Sequence, residues 1–201
     1  GELWTEKERI SYIGPQRKDI QASFEREIDL KGNLILPGFK DAHTHSAMTF
    51  LRSYADDLPL WDWLSKQVFP MEAKLRGEDI YSFSKLAILE YLSSGITACF
   101  DMYFHPEEMA RLAVDTGFRT VLVPGLNDFN FSLEEMRDCY QKYNAFNPLV
   151  SYQLGFHAEY TTSKELMEGL AKISEEFKAP VFTHNSETKG EVAGCLERYG
   201  M

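Results

Sequence analysis

Leu34-Ile35-Leu36-Pro37-Gly38-Phe39 runs into Lys40-Asp41-Ala42-His43-Thr44-His45-Ser46, and this stretch decides how the chain is read. The apolar run predicts a buried strand over 34–39 that delivers two imidazoles at its C-terminal end. On an extended chain, side chains two positions apart leave the same face. His43 and His45 therefore form a preorganised donor pair for a divalent ion. Two later histidines, His157 and His184, follow apolar runs in the same way.

From residue 34 onward the pattern alternates. Strand candidates are 34–39, 96–101, 120–124, 149–156 and 180–184. Between them, Ile80, Phe83, Ala87 and Tyr91 make one apolar stripe at helical spacing, and Leu166, Leu170, Ile173 and Phe177 make another. These stripes are read as core. Ser132-x-x-Glu135, Thr162-x-x-Glu165 and Thr188-x-x-Glu191 mark helix starts as capping boxes. Pro106, followed by Glu107 and Glu108, marks a fourth start, with His105 as its capping residue.

Alternating strands and helices predict an α/β fold with a parallel sheet. No Gly-x-Gly-x-x-Gly follows a strand, which argues against a dinucleotide site. Candidate site residues fall instead at the C-terminal ends of several strands, as in a (β/α)8 TIM barrel. A full barrel needs about 250 residues, whereas residues 34–201 supply about five strand–helix units. The expectation is an incomplete barrel lacking its C-terminal units, and hence a fragment of a longer enzyme. Residues 1–33 predict part of a small β-sandwich domain, with strands at 9–15 and 24–30. The exposed edges of such a barrel would favour association, as a homo-oligomer or otherwise.

Composition narrows the function. The chain is 44% hydrophobic and 26% charged, with a net charge of −10. Nucleic acid is not expected as a partner, because phosphate binding wants basic patches. No apolar run approaches the roughly 18 residues of a membrane span, and Glu2, Glu6 and Glu8 interrupt any leader-like core at the start. Cys99, Cys139 and Cys195 are widely spaced and odd in number, which suits a reducing, cytoplasmic setting. A small, neutral or zwitterionic substrate fits this balance. His184 could join His43 and His45 as a third donor. Three protein ligands with one open position lower the pKa of a bound water towards about 7.

Several segments together resemble the amidohydrolase superfamily. They are Leu36-Pro37-Gly38-Phe39 before His43-Thr44-His45, Tyr54-Ala55-Asp56-Asp57-Leu58-Pro59-Leu60, and Glu72-Ala73-Lys74-Leu75. Gly155-Phe156-His157-Ala158-Glu159-Tyr160-Thr161 and His184-x-x-Glu187-Thr188 continue the pattern. The branch they are most similar to contains 5-methylthioadenosine/S-adenosylhomocysteine deaminases and the related triazine chlorohydrolases.

The resemblance implies a metal-dependent hydrolase barrel in which His43, His45 and His184 bind one divalent metal, zinc or alternatively iron. It assigns Glu187 proton transfer to a ring nitrogen and substrate contact, Glu72 the ribose hydroxyls, and His157 a substrate contact. It also implies a fourth ligand, an Asp, and a further His, neither of which has a counterpart in these residues. This chain alone is therefore expected to be inactive. The expected activity of the intact enzyme is hydrolysis of a C–N bond in a cyclic amidine, deaminating an adenosine-type nucleoside with release of ammonia. A guanine- or triazine-directed hydrolase, or a non-catalytic assembly protein of the same fold, are the alternatives. The apolar stretch 58–64 with Trp61 and Trp63 is a candidate pocket wall, although packing alone explains it equally well.

Overall fold

Pro37 lacks the amide hydrogen that a strand ladder needs, and the parallel sheet begins just beyond it. The computed structural model describes residues 1–200, which divide into two units on either side of the Pro37–Gly38 bond.

The first unit contains an antiparallel hairpin of β1 (Glu2–Glu6) and β2 (Arg9–Gly14). Its two-residue loop places Lys7 at a positive φ of 54°. The partner of β2 is therefore the segment immediately before it, not 24–30, where no strand forms. A two-residue loop closes at lower entropic cost than the longer connection that pairing with 24–30 would require. Trp4 packs against Tyr12 and Phe24, and Arg17 sits over both Trp4 and Tyr12.

The expected buried strand at 34–39 is corrected by the structure. Leu34 is 86% exposed and Leu36 68%, and the strand lies later, at β3 (Phe39–Thr44). The ladder opens where Phe39 N–H donates to Gly95 O at 2.9 Å. β4 (Ile96–Met102), β5 (Arg119–Val123) and β6 (Val150–Tyr152) follow in the order β3-β4-β5-β6, all parallel.

The predicted strand 149–156 divides at Gln153. Its second piece, β7 (Leu154–Gly155), pairs parallel with β8 (Val181–Phe182). Gln153 N–H still donates to Leu122 O at 2.9 Å, and a parallel bridge joins Leu126 to Phe156. Gly155 is required here: a Cβ would lie 2.5 Å from Val123 Cγ1 and 2.9 Å from Phe182 O. This close approach, two residues before His157, brings the ends of β5 and β8 together.

Helices fill the connections. Residues 60–72 form α1 (Leu60–Trp63), a π-turn (Leu64–Val68) and α2 (Phe69–Glu72). Next come α3 (Gly77–Ser93), α4 (Pro106–Thr116), α5 (Leu133–Asn144), α6 (Lys164–Phe177) and α7 (Lys189–Tyr199). The predicted stripes bury as expected: Ile80, Ala87, Leu170 and Ile173 are core, with Phe83, Leu166 and Phe177 packed beside them.

Two of the three capping boxes differ from expectation. Ser132 and Glu135 cap α5 reciprocally. Thr188 Oγ1 accepts from Glu191 N–H, but the Glu191 carboxylate turns to Glu187 N–H instead. Thr162 is not a cap: it is buried, and its hydroxyl donates to Leu126 O. Ser163 takes the N-cap position without a side-chain bond. His105 stands at the N-cap of α4 with φ 54° and also makes no side-chain cap bond. No helix among the described residues is long and apolar enough to cross a membrane.

One buried group fixes the sheet to the loop beyond β3. Asp101, 1% exposed, accepts Ser46 N–H at 3.1 Å through Oδ1, while its Oδ2 has no partner among the described residues. Burial pushes its pKa from 3.8 up to about 6, against the bonds from Ser46. Between those values the folded chain holds a proton that the unfolded chain has released, so stability falls as pH rises through this window. By the usual conversion, ionised Asp101 costs about 3 kcal/mol. Asp101→Asn keeps the acceptor without the charge. Denaturant unfolding should find it near wild-type stability at about pH 4 and more stable by that amount at about pH 7.5. A stability difference that does not change with pH would contradict this account.

Candidate metal centre

Alternation along β3 sorts the sequence His43-Thr44-His45-Ser46 onto two sides. The even residues face α3: Tyr91 Oη bonds Thr44 Oγ1 at 2.7 Å and Ser46 Oγ at 3.0 Å. The odd residues are thereby presented together on the other side. Their rings lie 4.8 Å apart, and His184, just beyond β8, meets them at 4.8 Å from His43 and 5.3 Å from His45. One nitrogen from each of the three lies within 4.8 Å of the others, and His43 Nε2 and His184 Nε2 are 3.0 Å apart.

Backbone carbonyls set the protonation of two of these rings. His45 Nδ1 lies 2.6 Å from Met102 O, and His184 Nδ1 lies 2.8 Å from His157 O. A carbonyl only accepts, so each Nδ1 carries the hydrogen and each Nε2 keeps its lone pair. Burial, reinforced by the neighbouring imidazoles, pushes His45 down to about 4. Burial is also the first cause that lowers His43, followed by the facing His184, while Asp41 and Glu187 act in the opposite direction.

Imidazoles with nitrogens converging in this way fit a metal ion. Tetrahedral zinc with Zn–N of about 2.0–2.1 Å places neighbouring nitrogens roughly 3.3 Å apart. Without a cation or proton between them, the closely facing Nε2 atoms of His43 and His184 would repel.

His157 lies beside this group, its ring 5.1 Å from that of His184. Its Nδ1 is 2.8 Å from Thr161 Oγ1, whose own hydrogen goes to Ala158 O. Nδ1 is therefore the donor, and Nε2 is left as an acceptor. Burial and then His184 lower its pKa to about 4.

Glu187 precedes the N-cap Thr188 and is not in the first turn of α7 as expected. It lines the same cavity as His45, His157 and His184, and Tyr160 Oη donates to its Oε2 at 3.1 Å. Glu72, at the end of α2, lines this cavity too and accepts from Tyr103 Oη at 2.6 Å. Burial raises the Glu72 pKa, and the Tyr103 bond opposes that rise. A larger cavity of about 880 Å³ adjoins, sharing Phe69, Glu72, Tyr103 and Tyr160 with the first. Trp63 lines the smaller cavity and Trp61 the larger, which His105 also reaches.

Sequence reasoning missed Tyr91, Tyr103 and Tyr160. Tyr91 was legible only as a core position. Tyr103 carried one usable signal, its place just past the C-terminal end of a predicted strand, where such folds gather site residues.

Comparison with known proteins agrees with this arrangement. The Amidohydrolase family profile matches residues 34–201. A 5-methylthioadenosine/S-adenosylhomocysteine deaminase of Caldicellulosiruptor saccharolyticus is 41% identical over 207 residues, covering 100% of this chain and 48% of the relative. Its namesake in Pyrococcus furiosus is 37% identical over 191 residues, covering 92% and 46%. The chain thus spans about half the length of the curated relatives it matches.

An adenosine deaminase structure from Xanthomonas campestris with bound zinc superposes with a TM-score of 0.75 at 32% identity, covering 82% of this chain and 39% of that one. A zinc-complexed atrazine chlorohydrolase from Arthrobacter aurescens gives a TM-score of 0.69 at 20% identity over 83% and 44%, a likeness of fold alone. With a matching profile over the whole second unit and a group of three histidines able to hold a metal, the chain belongs to the amidohydrolase family.

Proposed function

We propose that the intact protein carrying this chain is a metal-dependent hydrolase that deaminates an adenosine-type nucleoside, 5-methylthioadenosine or S-adenosylhomocysteine, releasing ammonia. One observation carries the reading: three imidazoles, two of them fixed as Nε2 donors by backbone carbonyls, converge beside Glu187 and Glu72. The deaminase relatives support the substrate class. In this reading the parallel β/α units are the N-terminal part of a (β/α)8 barrel, residues 1–33 belong to a small β domain, and the setting is cytoplasmic. For this chain taken by itself, the β3 edge, unpaired among the described residues, supports association through sheet edges.

His43, His45 and His184 would hold the ion, with zinc favoured by the imidazole donors and iron as the alternative. When bound, it supplies the Lewis acidity that activates water. Glu187 moves a proton to the ring nitrogen adjacent to the attacked carbon, so charge is neutralised as it develops. Tyr160 holds one of its oxygens and leaves the other for this transfer. His157 accepts a substrate hydrogen at Nε2, and Glu72 accepts from the sugar. Phe69, Trp63 and Tyr103 wall the cavity.

Two experiments on the intact protein test this. Elemental analysis should find about one equivalent of zinc or iron, with chelation abolishing ammonia release and His43→Ala or His184→Ala losing both metal and activity. A metal-free, stable wild type would favour the assembly-protein alternative. Glu187→Gln should keep the metal yet lower kcat by about 10²–10⁴-fold, the range of a lost proton-transfer group. Activity on guanine or triazines but not on nucleosides would redirect the substrate assignment.

A further inference from the structure

Tyr103 directly follows Met102, the last residue of β4, and its Oη donates to Glu72 Oε1 at 2.6 Å. Both side chains are half-buried and line the cavity beside the imidazoles. Among the described residues, no Lys or Arg lines that cavity or the larger one adjoining it. A phenol, not a cation, therefore answers this carboxylate. The separation lies within the range of about 2.5–2.7 Å for a hydroxyl donating to a charged oxygen. Tyr103 is itself held in place, its ring 4.8 Å from Phe104 and 6.4 Å from His45. Met102 meanwhile gives its carbonyl to His45 Nδ1. Two adjacent residues of one strand end thus locate both an imidazole of the metal centre and Glu72.

We propose that Tyr103 is a positioning residue for Glu72: its phenol fixes Oε1 and leaves Oε2 as the acceptor for a sugar hydroxyl of the substrate. The inference deepens the nucleoside reading and rests on it. A free glutamate side chain can rotate both oxygens among several donors, so a fixed one loses less entropy when the sugar arrives. Tyr103 has no place in the proton transfer assigned to Glu187. Its removal should therefore weaken binding of the sugar and leave the chemical step alone.

The test compares 5′-methylthioadenosine with its 2′,3′-dideoxy counterpart in the intact, metal-loaded protein. Tyr103→Phe should raise KM for the ribonucleoside about tenfold, the scale of one hydrogen bond to a charged group, with kcat within about twofold. KM for the dideoxy compound should be unchanged. In a Glu72→Gln background the Tyr103→Phe change should add no further loss, because the two residues act as one unit. Wild-type metal content and melting temperature establish that the variants fold. Should Tyr103→Phe not fold, Tyr103→His, which keeps a donor, should retain the preference for the ribonucleoside.

Equal losses on both compounds, or a fall in kcat alone, would overturn the role of Tyr103 and leave the nucleoside reading standing. A wild-type protein that treats the two compounds alike would overturn the sugar-binding reading itself, and this inference with it.

Discussion

The site depends on how one extended segment is held from behind. Tyr91 bonds Thr44 and Ser46, and buried Asp101 accepts the Ser46 amide. These residues alternate with His43 and His45, so anchoring one set to the helix layer aims the other set at the opposite side. Had the chain slipped by one position, the histidines would face α3 and the hydroxyls would face the cavity. The energetic cost of burying Asp101 is borne at this register-defining contact.

A second constraint comes from the C-terminal ends of β4 and β7. Met102 O and His157 O each accept from a ring nitrogen, which leaves Nε2 of His45 and of His184 bare. Backbone carbonyls suit this task because they are themselves held: Met102 ends β4, and His157 O also accepts His184 N–H at 3.0 Å. A fixed acceptor dictates a tautomer more firmly than a mobile side chain. Burial then keeps the His45 ring neutral. The carboxylates nearby are restrained by phenols: Tyr103 on Glu72 and Tyr160 on Glu187. Hydroxyl donors orient a carboxylate without neutralising it.

Much of this was legible in the chain itself. The alternation of apolar runs and helical stripes, with His43, His45, His157 and His184 at the ends of the first, fourth and fifth runs, anticipated a parallel β/α sheet with histidines at its strand ends. Local errors had local causes. Leu34 to Phe39 looked like a buried strand by hydrophobicity, yet Pro37 stops the ladder and the pairing starts only at Phe39. Thr162 matched a capping pattern, but its hydroxyl serves a loop tie to Leu126 O. Phe24 to Leu30 lost β2 to the nearer segment Glu2–Glu6.

What the sequence determined by itself was set by short-range periodicity: which residues share a strand face or a helix stripe, and which types can ligate a metal. What only the tertiary structure decided was the geometry in which distant groups meet. His43 and His184 are 141 positions apart, and Tyr103 and Glu72 are 31 apart. No local pattern encodes such pairings, because they follow from the order in which parallel strands assemble and from the fixed directions in which their ends point.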